Sequence, residues 1–143
     1  MKTNKKNLET LLRGVTQNLC TLTSLPHDTV KQLHDICQQA NTAIEELDKQ
    51  IKELPNFDKY VEKQKFEYRY FCKKFNIKNG QIPQNMMADW QKALQSVADK
   101  NPEISGQIKA IELNEFDFNF KPITDFTGFP VIALLNYPEL FKI

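Results

Sequence analysis

The sequence predicts a mainly α-helical domain with a small C-terminal β or irregular cap. Apolar residues recur every three or four positions through most of the first 100 residues, as in amphipathic helices. The most regular part follows a heptad pattern over residues 30–54. Only residues 115–121 alternate with a period of two, which is typical of a strand. An α+β arrangement therefore stays open for the C-terminal part.

Residues 1–56 are predicted to form a long antiparallel helical hairpin. The first helix covers residues 5–23, and Gly14 within it lowers helix stability by about 1 kcal/mol relative to alanine. A break at Pro26 leads into a second helix that stops at Pro55. Because a short connection makes consecutive helices lie antiparallel, the two should pack side by side.

The second helix has an apolar stripe that is longer than the first helix can cover. We interpret part of this stripe as a possible coiled-coil seam for self-association, formed by Val30, Leu33, Cys37, Ile44, Leu47 and Ile51. Other helices of the chain, a second copy or another protein would serve as partner. A solution mass of roughly 33 kDa, twice the 16.7 kDa chain, would indicate a homodimer.

Residues 57–100 are predicted to form two further helices, over 57–75 and 84–99, separated by a turn at Gly80. The buried face of the first of these should carry six residues at helical spacing. They are Phe57, Val61, Tyr68, Phe71, Cys72 and Phe75.

Residues 101–143 are expected to form the aromatic-rich cap. Periodicity leaves two segments open between helix and strand, residues 104–113 and 131–137. The first could alternatively be a strand that pairs with residues 115–121. Residues 131–135 form a compact apolar run that is expected to be buried. Six of the ten phenylalanines lie here and should complete the core, although an exposed aromatic groove for a partner is the alternative.

Length and composition favour a single domain over residues 1–143. An apolar content of 41% with a net charge of +1 excludes a disordered tail, and no stretch is apolar enough for a membrane span. The basic start is not followed by an apolar run, so no signal peptide is predicted and the expected location is cytoplasmic. Lysine outnumbers arginine 17 to 2, which suggests an AT-rich coding genome.

The third helix carries the most suggestive surface. Two aromatic and four basic residues share one side of it, apart from the core face: Lys59, Lys63, Phe66, Tyr70, Lys73 and Lys74. A basic surface with interleaved aromatic rings suits an acidic protein partner or single-stranded nucleic acid. The alternative is that both rings pack against the C-terminal segment beneath lysine stems.

Catalytic motifs are sparse. His34 and Cys37 lie three residues apart on a helix, but they lack an orienting third group and an oxyanion site. The three cysteines have no metal-ligand spacing and are expected to be reduced thiols. We expect no cofactor and no bound metal. The favoured class is a non-enzymatic protein-interaction module, such as an adaptor, a small effector or inhibitor, or an assembly subunit. A nucleic-acid-binding accessory protein is the alternative.

Overall fold

A computed structural model describes residues 1–141, of which most are helical. The chain is mainly α, with a small β part, as the sequence predicts. The α-helices are α1 (Lys5–Asn18), α2 (His27–Lys52), α3 (Phe57–Lys74), α4 (Met87–Lys100), α5 (Pro102–Leu113) and α6 (Val131–Asn136). The strands are β1 (Lys2–Thr3) and β2 (Phe116–Asp117), and short 3-10 helices cover Gln84–Met86 and Pro138–Leu140.

The chain divides into two compact units that are not consecutive in sequence. The first contains residues 1–48 and the residues from 112 onward, and the second contains residues 49–111. The sequence predicts three consecutive segments, residues 1–56, 57–100 and 101–143. The structure groups the chain differently, because the C-terminal segment belongs with the N-terminal hairpin. That one domain spans residues 1–143 stays a prediction.

In the first unit, α1 and α2 form the predicted antiparallel hairpin. Leu8 near the start of α1 packs with Ile44 of α2, whereas Val15 near its end packs with Leu33. As the residue number rises along α1, the number of the residue that it packs against on α2 falls. The two helices therefore run antiparallel. The C-terminal segment completes this core with Ile123 and Leu140, which are both fully buried. The predicted filling of the core by this segment is therefore confirmed.

The first helix ends at Asn18, so the prediction of a helix as far as residue 23 is wrong. The N–H groups of Leu19 and Cys20 both donate to the carbonyl of Val15, at 2.9 and 3.0 Å, and the chain turns there. This turn places Leu19 in the core with only 1% of its surface exposed.

The small sheet joins the start of the N-terminal segment of the first unit to the start of its C-terminal segment. β1 and β2 are antiparallel, with Lys2 opposite Asp117 and Thr3 opposite Phe116. Phe118 follows β2 and donates its N–H to the carbonyl of Met1 at 2.8 Å. Within the alternating segment, only Phe116–Asp117 form a strand, and this strand pairs with Lys2–Thr3 near the N-terminus. The alternative of a strand in residues 104–113 is wrong, because these residues lie in α5.

The second unit is built from α3, α4 and α5. Tyr60, Val97 and Ile104, one from each helix, form its buried cluster. A second contact between α3 and α4 is aromatic, with the ring centroids of Phe71 and Trp90 5.4 Å apart. The predicted core face of the third helix is largely confirmed. The prediction omits Tyr60, however, which is buried. It wrongly includes Phe75, which is 37% exposed at the C-cap of α3.

The apolar run after Pro130 forms the short helix α6, and its predicted burial is wrong. Ala133 is buried, but Val131, Ile132 and Leu135 are between 61% and 71% exposed. A helix of six residues offers only one narrow face to a core, so the other side chains of an apolar run must point outward. The phenylalanines of this segment are buried or half-buried, which supports their role in the core.

Across residues 1–141, no helix has both the length and the apolar character needed to cross a membrane.

Candidate functional site

The candidate site is a stripe along the outer side of α3, which we call the α3 stripe. Its members follow one another at intervals of four, three, four and three residues, so they form a continuous row along the helix. They are Lys59, Lys63, Phe66, Tyr70 and Lys73, with Lys74 next to Lys73 in the last turn. The helix begins after Asn56, whose backbone is left-handed with φ of 68°.

The two aromatic rings of the α3 stripe face solvent. Phe66 is 65% exposed and Tyr70 is 55% exposed, whereas Tyr60 and Phe71, on the neighbouring face of the helix, are buried. The alternative that both rings pack beneath lysine stems is therefore wrong. Exposed large apolar side chains that lie next to each other are typical of interaction surfaces.

The lysines of the stripe are held to different degrees. Lys63 donates to the side-chain oxygen of Asn101 at 2.6 Å, and Asn101 in turn donates to the carbonyl of Val97 at 2.8 Å. The ammonium group of Lys74 lies 5.5 Å from the centre of the Phe75 ring. Lys59 and Lys73 are exposed. The ammonium group of Lys63 is thus positioned by Asn101 at the end of α4, whereas Lys59 and Lys73 are exposed to solvent.

A cavity of about 370 Å³ adjoins the N-terminal end of the stripe. Lys59, Tyr60 and Lys63 of α3 line one side of it, and Asn101 and Gln107 contribute amide groups. Burial raises the pKa of Tyr60, and a hydrogen bond with Gln64 partly opposes that shift. The tyrosine therefore stays a neutral hydroxyl beside the two ammonium groups, which together can accommodate a carboxylate or another anion.

The second unit as a whole is basic. Residues 49–111 contain 12 basic and 7 acidic side chains, a net charge of +5, whereas the rest of the chain has 7 basic and 11 acidic, a net charge of −4. The near-neutral total of the sequence conceals this asymmetry, because the basic and acidic parts cancel. The α3 stripe lies within the basic part.

The apolar stripe of α2, our possible self-association seam, is mostly covered within the chain. Leu33, Ile44 and Ile51 are buried, and Cys37 and Leu47 are half-buried. Val30, near the N-terminus of α2, is 47% exposed. Among the seam residues, Val30 in the first turn of α2 is thus the most exposed.

Sequence reasoning identified the stripe but missed its surroundings. No pattern in the sequence brings Asn101 to Lys63, which is 38 positions away. The exposed side of α6 was missed because an apolar run is ordinarily buried. Among residues 1–141, no group of three or more histidine, cysteine, aspartate or glutamate side chains is arranged to hold a metal ion.

Comparison with protein-family models, with curated protein sequences and with solved structures finds no significant match to this chain. Its site is therefore interpreted from its own geometry.

Proposed function

We propose that this protein is a non-enzymatic interaction module that binds an acidic segment of another protein through the α3 stripe. The observation that carries the proposal is the exposure of Phe66 and Tyr70 between lysines. Leaving two rings in water gives up the free energy of burying them, which is about 1.5–3 kcal/mol for a large apolar side chain. A partner that covers the rings recovers that free energy.

The charge around the rings supports an acidic partner. Lys59 and Lys63 flank the rings on one side and Lys73 and Lys74 on the other, so an extended segment can contact ammonium groups at both ends. Charge complementarity of this kind mainly adds specificity and speeds association. The rings supply the apolar contact that produces most of the affinity in protein interfaces.

The test measures binding of two fluorescent probes by anisotropy at several salt concentrations. One probe is a synthetic peptide of alternating glutamate and leucine, and the other is a single-stranded thymidine oligonucleotide. The double variant Phe66→Ala/Tyr70→Ala should bind the peptide about tenfold more weakly or worse. Lys63→Glu/Lys73→Glu should also weaken binding. The matched control is Lys92→Glu/Lys100→Glu, which makes the same charge change at exposed lysines of α4.

Two results would contradict the proposal. Unchanged peptide binding by the Phe66/Tyr70 variant would show that the rings take no part. An equal loss in the α4 control would show that only the overall charge matters.

Binding of single-stranded nucleic acid is the second candidate, and the same exposed rings favour it, because bases stack on aromatic side chains. It predicts that the oligonucleotide binds more tightly than the peptide and that its affinity falls steeply with salt. The small number of arginines, two against 17 lysines, makes it the second choice, since arginine suits bidentate contacts with phosphate.

A further inference from the structure

The first unit contains a cavity of about 550 Å³ at the loop end of the α1–α2 hairpin. Its wall is largely apolar and includes Leu22, Leu25 and Val30. Two of the three cysteines, Cys20 and Cys37, lie on the same wall, together with His34. The α3 stripe uses none of these residues.

The two thiols are neighbours although they are 17 positions apart. Cys37 on α2 and Cys20 in the turn after α1 line the same cavity wall, together with Thr16 of α1. Cys20 is exposed and Cys37 is half-buried, and both are free thiols. A disulfide needs a sulfur–sulfur distance of about 2.05 Å, so the two side chains must move together to form one. Cys20 can make that movement because it lies in the turn after α1.

The surroundings of the two sulfurs assign them different roles. Burial raises the pKa of the Cys37 thiol from 9.0 to about 11, and the adjacent Cys20 adds to the shift. Cys37 therefore stays protonated at neutral pH, whereas Cys20 is the thiol that a reagent in solution meets first. The thiolate is the reactive form in disulfide exchange, and Cys20 is the exposed thiol of the pair, so Cys20 is the one that attacks first.

We propose that Cys20 and Cys37 form a modification site that closes to an intramolecular disulfide by exchange with a small-molecule disulfide such as oxidised glutathione. The Cys20 thiolate attacks one sulfur of the reagent, which forms a mixed disulfide and releases one glutathione thiolate. Cys37 then loses its proton and attacks the Cys20 sulfur, which releases the second glutathione. The protein is oxidised by two electrons, and the reagent is reduced to two thiols.

The bridge would connect the end of α1 to the third turn of α2 across the cavity. It closes a loop of 18 residues, from Cys20 to Cys37, that includes the whole connection between the helices, and such a crosslink restricts the unfolded chain. We therefore expect the oxidised protein to melt at a higher temperature than the reduced protein, by about 5 °C or more.

The experiment uses the full chain carrying Cys72→Ser, so that only the two thiols of the site remain. The reduced protein is incubated with oxidised glutathione at pH 8, and remaining thiols are blocked with N-ethylmaleimide before intact-mass analysis. We expect a chain lighter by two hydrogens with no maleimide attached. The matched variants Cys20→Ser/Cys72→Ser and Cys37→Ser/Cys72→Ser cannot form a bridge, and they should carry either glutathione or maleimide on the remaining thiol.

Three outcomes would overturn the proposal. The first is a Cys72→Ser chain that keeps glutathione on Cys20 and maleimide on Cys37, because the second exchange step would then not occur. The second is a disulfide-linked pair of chains on a non-reducing gel in place of the internal bridge. The third is a bridge that lowers the melting temperature, since the native fold would then not accommodate it.

Discussion

At the level of single residues, the clearest departure from local preference is Gly14 in the middle of α1. Glycine weakens a helix, yet a β-carbon at this position would lie 2.6 Å from the hydroxyl oxygen of Tyr137. That hydroxyl accepts a hydrogen bond from the side-chain amide of Asn18 at 2.8 Å. Glycine therefore makes room for a tyrosine that attaches the C-terminal segment to α1.

We predict that the effect of Gly14→Ala reverses sign with the residue at position 137. In the wild-type background the methyl group displaces the ring, and the protein should lose about 1 kcal/mol of stability. In a Tyr137→Ala background the space is open, and the same change should stabilise the helix by about 1 kcal/mol. Urea unfolding of the four proteins measures both values. A loss of stability in both backgrounds would mean that Tyr137 is not the reason for the glycine.

At the level of secondary-structure elements, a buried lysine joins α1 to α2. The side chain of Lys5 is 8% exposed and forms ion pairs with Glu9 of α1 and with Asp48 of α2, the latter at 2.9 Å. Burial alone lowers the pKa of Lys5, but its hydrogen bonds and charge interactions with the two carboxylates outweigh burial and raise the pKa above 10.5. The ionised form is thus the form that the folded state prefers.

This preference predicts how stability depends on pH. Because the folded pKa of Lys5 is raised, its contribution is complete below pH 10.5 and is lost as the pH rises through the folded pKa. Lys5→Met keeps the aliphatic stem and should cost about 1 kcal/mol at pH 8. Unfolding measured from pH 7 to 12 should show the difference from wild type shrinking only above pH 10.5. A constant difference over that range would contradict the assigned role of the charge.

The sequence predicts the elements whose signals are local, but it does not predict those that depend on contacts between distant residues. The helical spacing of α2 is a local signal, and the predicted helix is present, although it ends at Lys52, three residues before Pro55. The pairing of β1 with β2 was missed, because it joins residues about 114 positions apart and each strand has only two residues. The α3 stripe was visible as a helical pattern, but only the structure shows that its rings face solvent and that Asn101 holds Lys63.

At the level of the whole molecule, the first unit depends on residues from both ends of the sequence. Leu140 and Ile123 are completely buried and pack in the same cluster as Val15 and Leu33 of the hairpin. Without them, the largest core of the chain would be open on one side. The C-terminal segment is therefore part of the hairpin's core and not an appendage.

We predict that Leu140→Ala lowers the free energy of unfolding by about 2–5 kcal/mol, since it leaves a cavity in a packed core. The matched control is Leu135→Ala, the same change at a side chain that is 70% exposed on α6, which should alter stability by less than about 0.5 kcal/mol. Thermal and urea unfolding measure both. Similar effects for the two variants would show that the C-terminal segment does not support the core.

In the sequence, the second unit lies between the two segments of the first unit, and this order has a consequence for the synthesis of the chain. Residues 49–111 are contiguous, and the contacts within them are local enough to form as soon as that stretch leaves the ribosome. The hairpin emerges earlier, but the side chains that close its core follow residues 49–111, so its apolar face stays uncovered while that stretch is made. Residues 49–111 can thus complete their fold before the hairpin does, although the hairpin is made first. A chaperone would be needed most while the newly made hairpin is still uncovered.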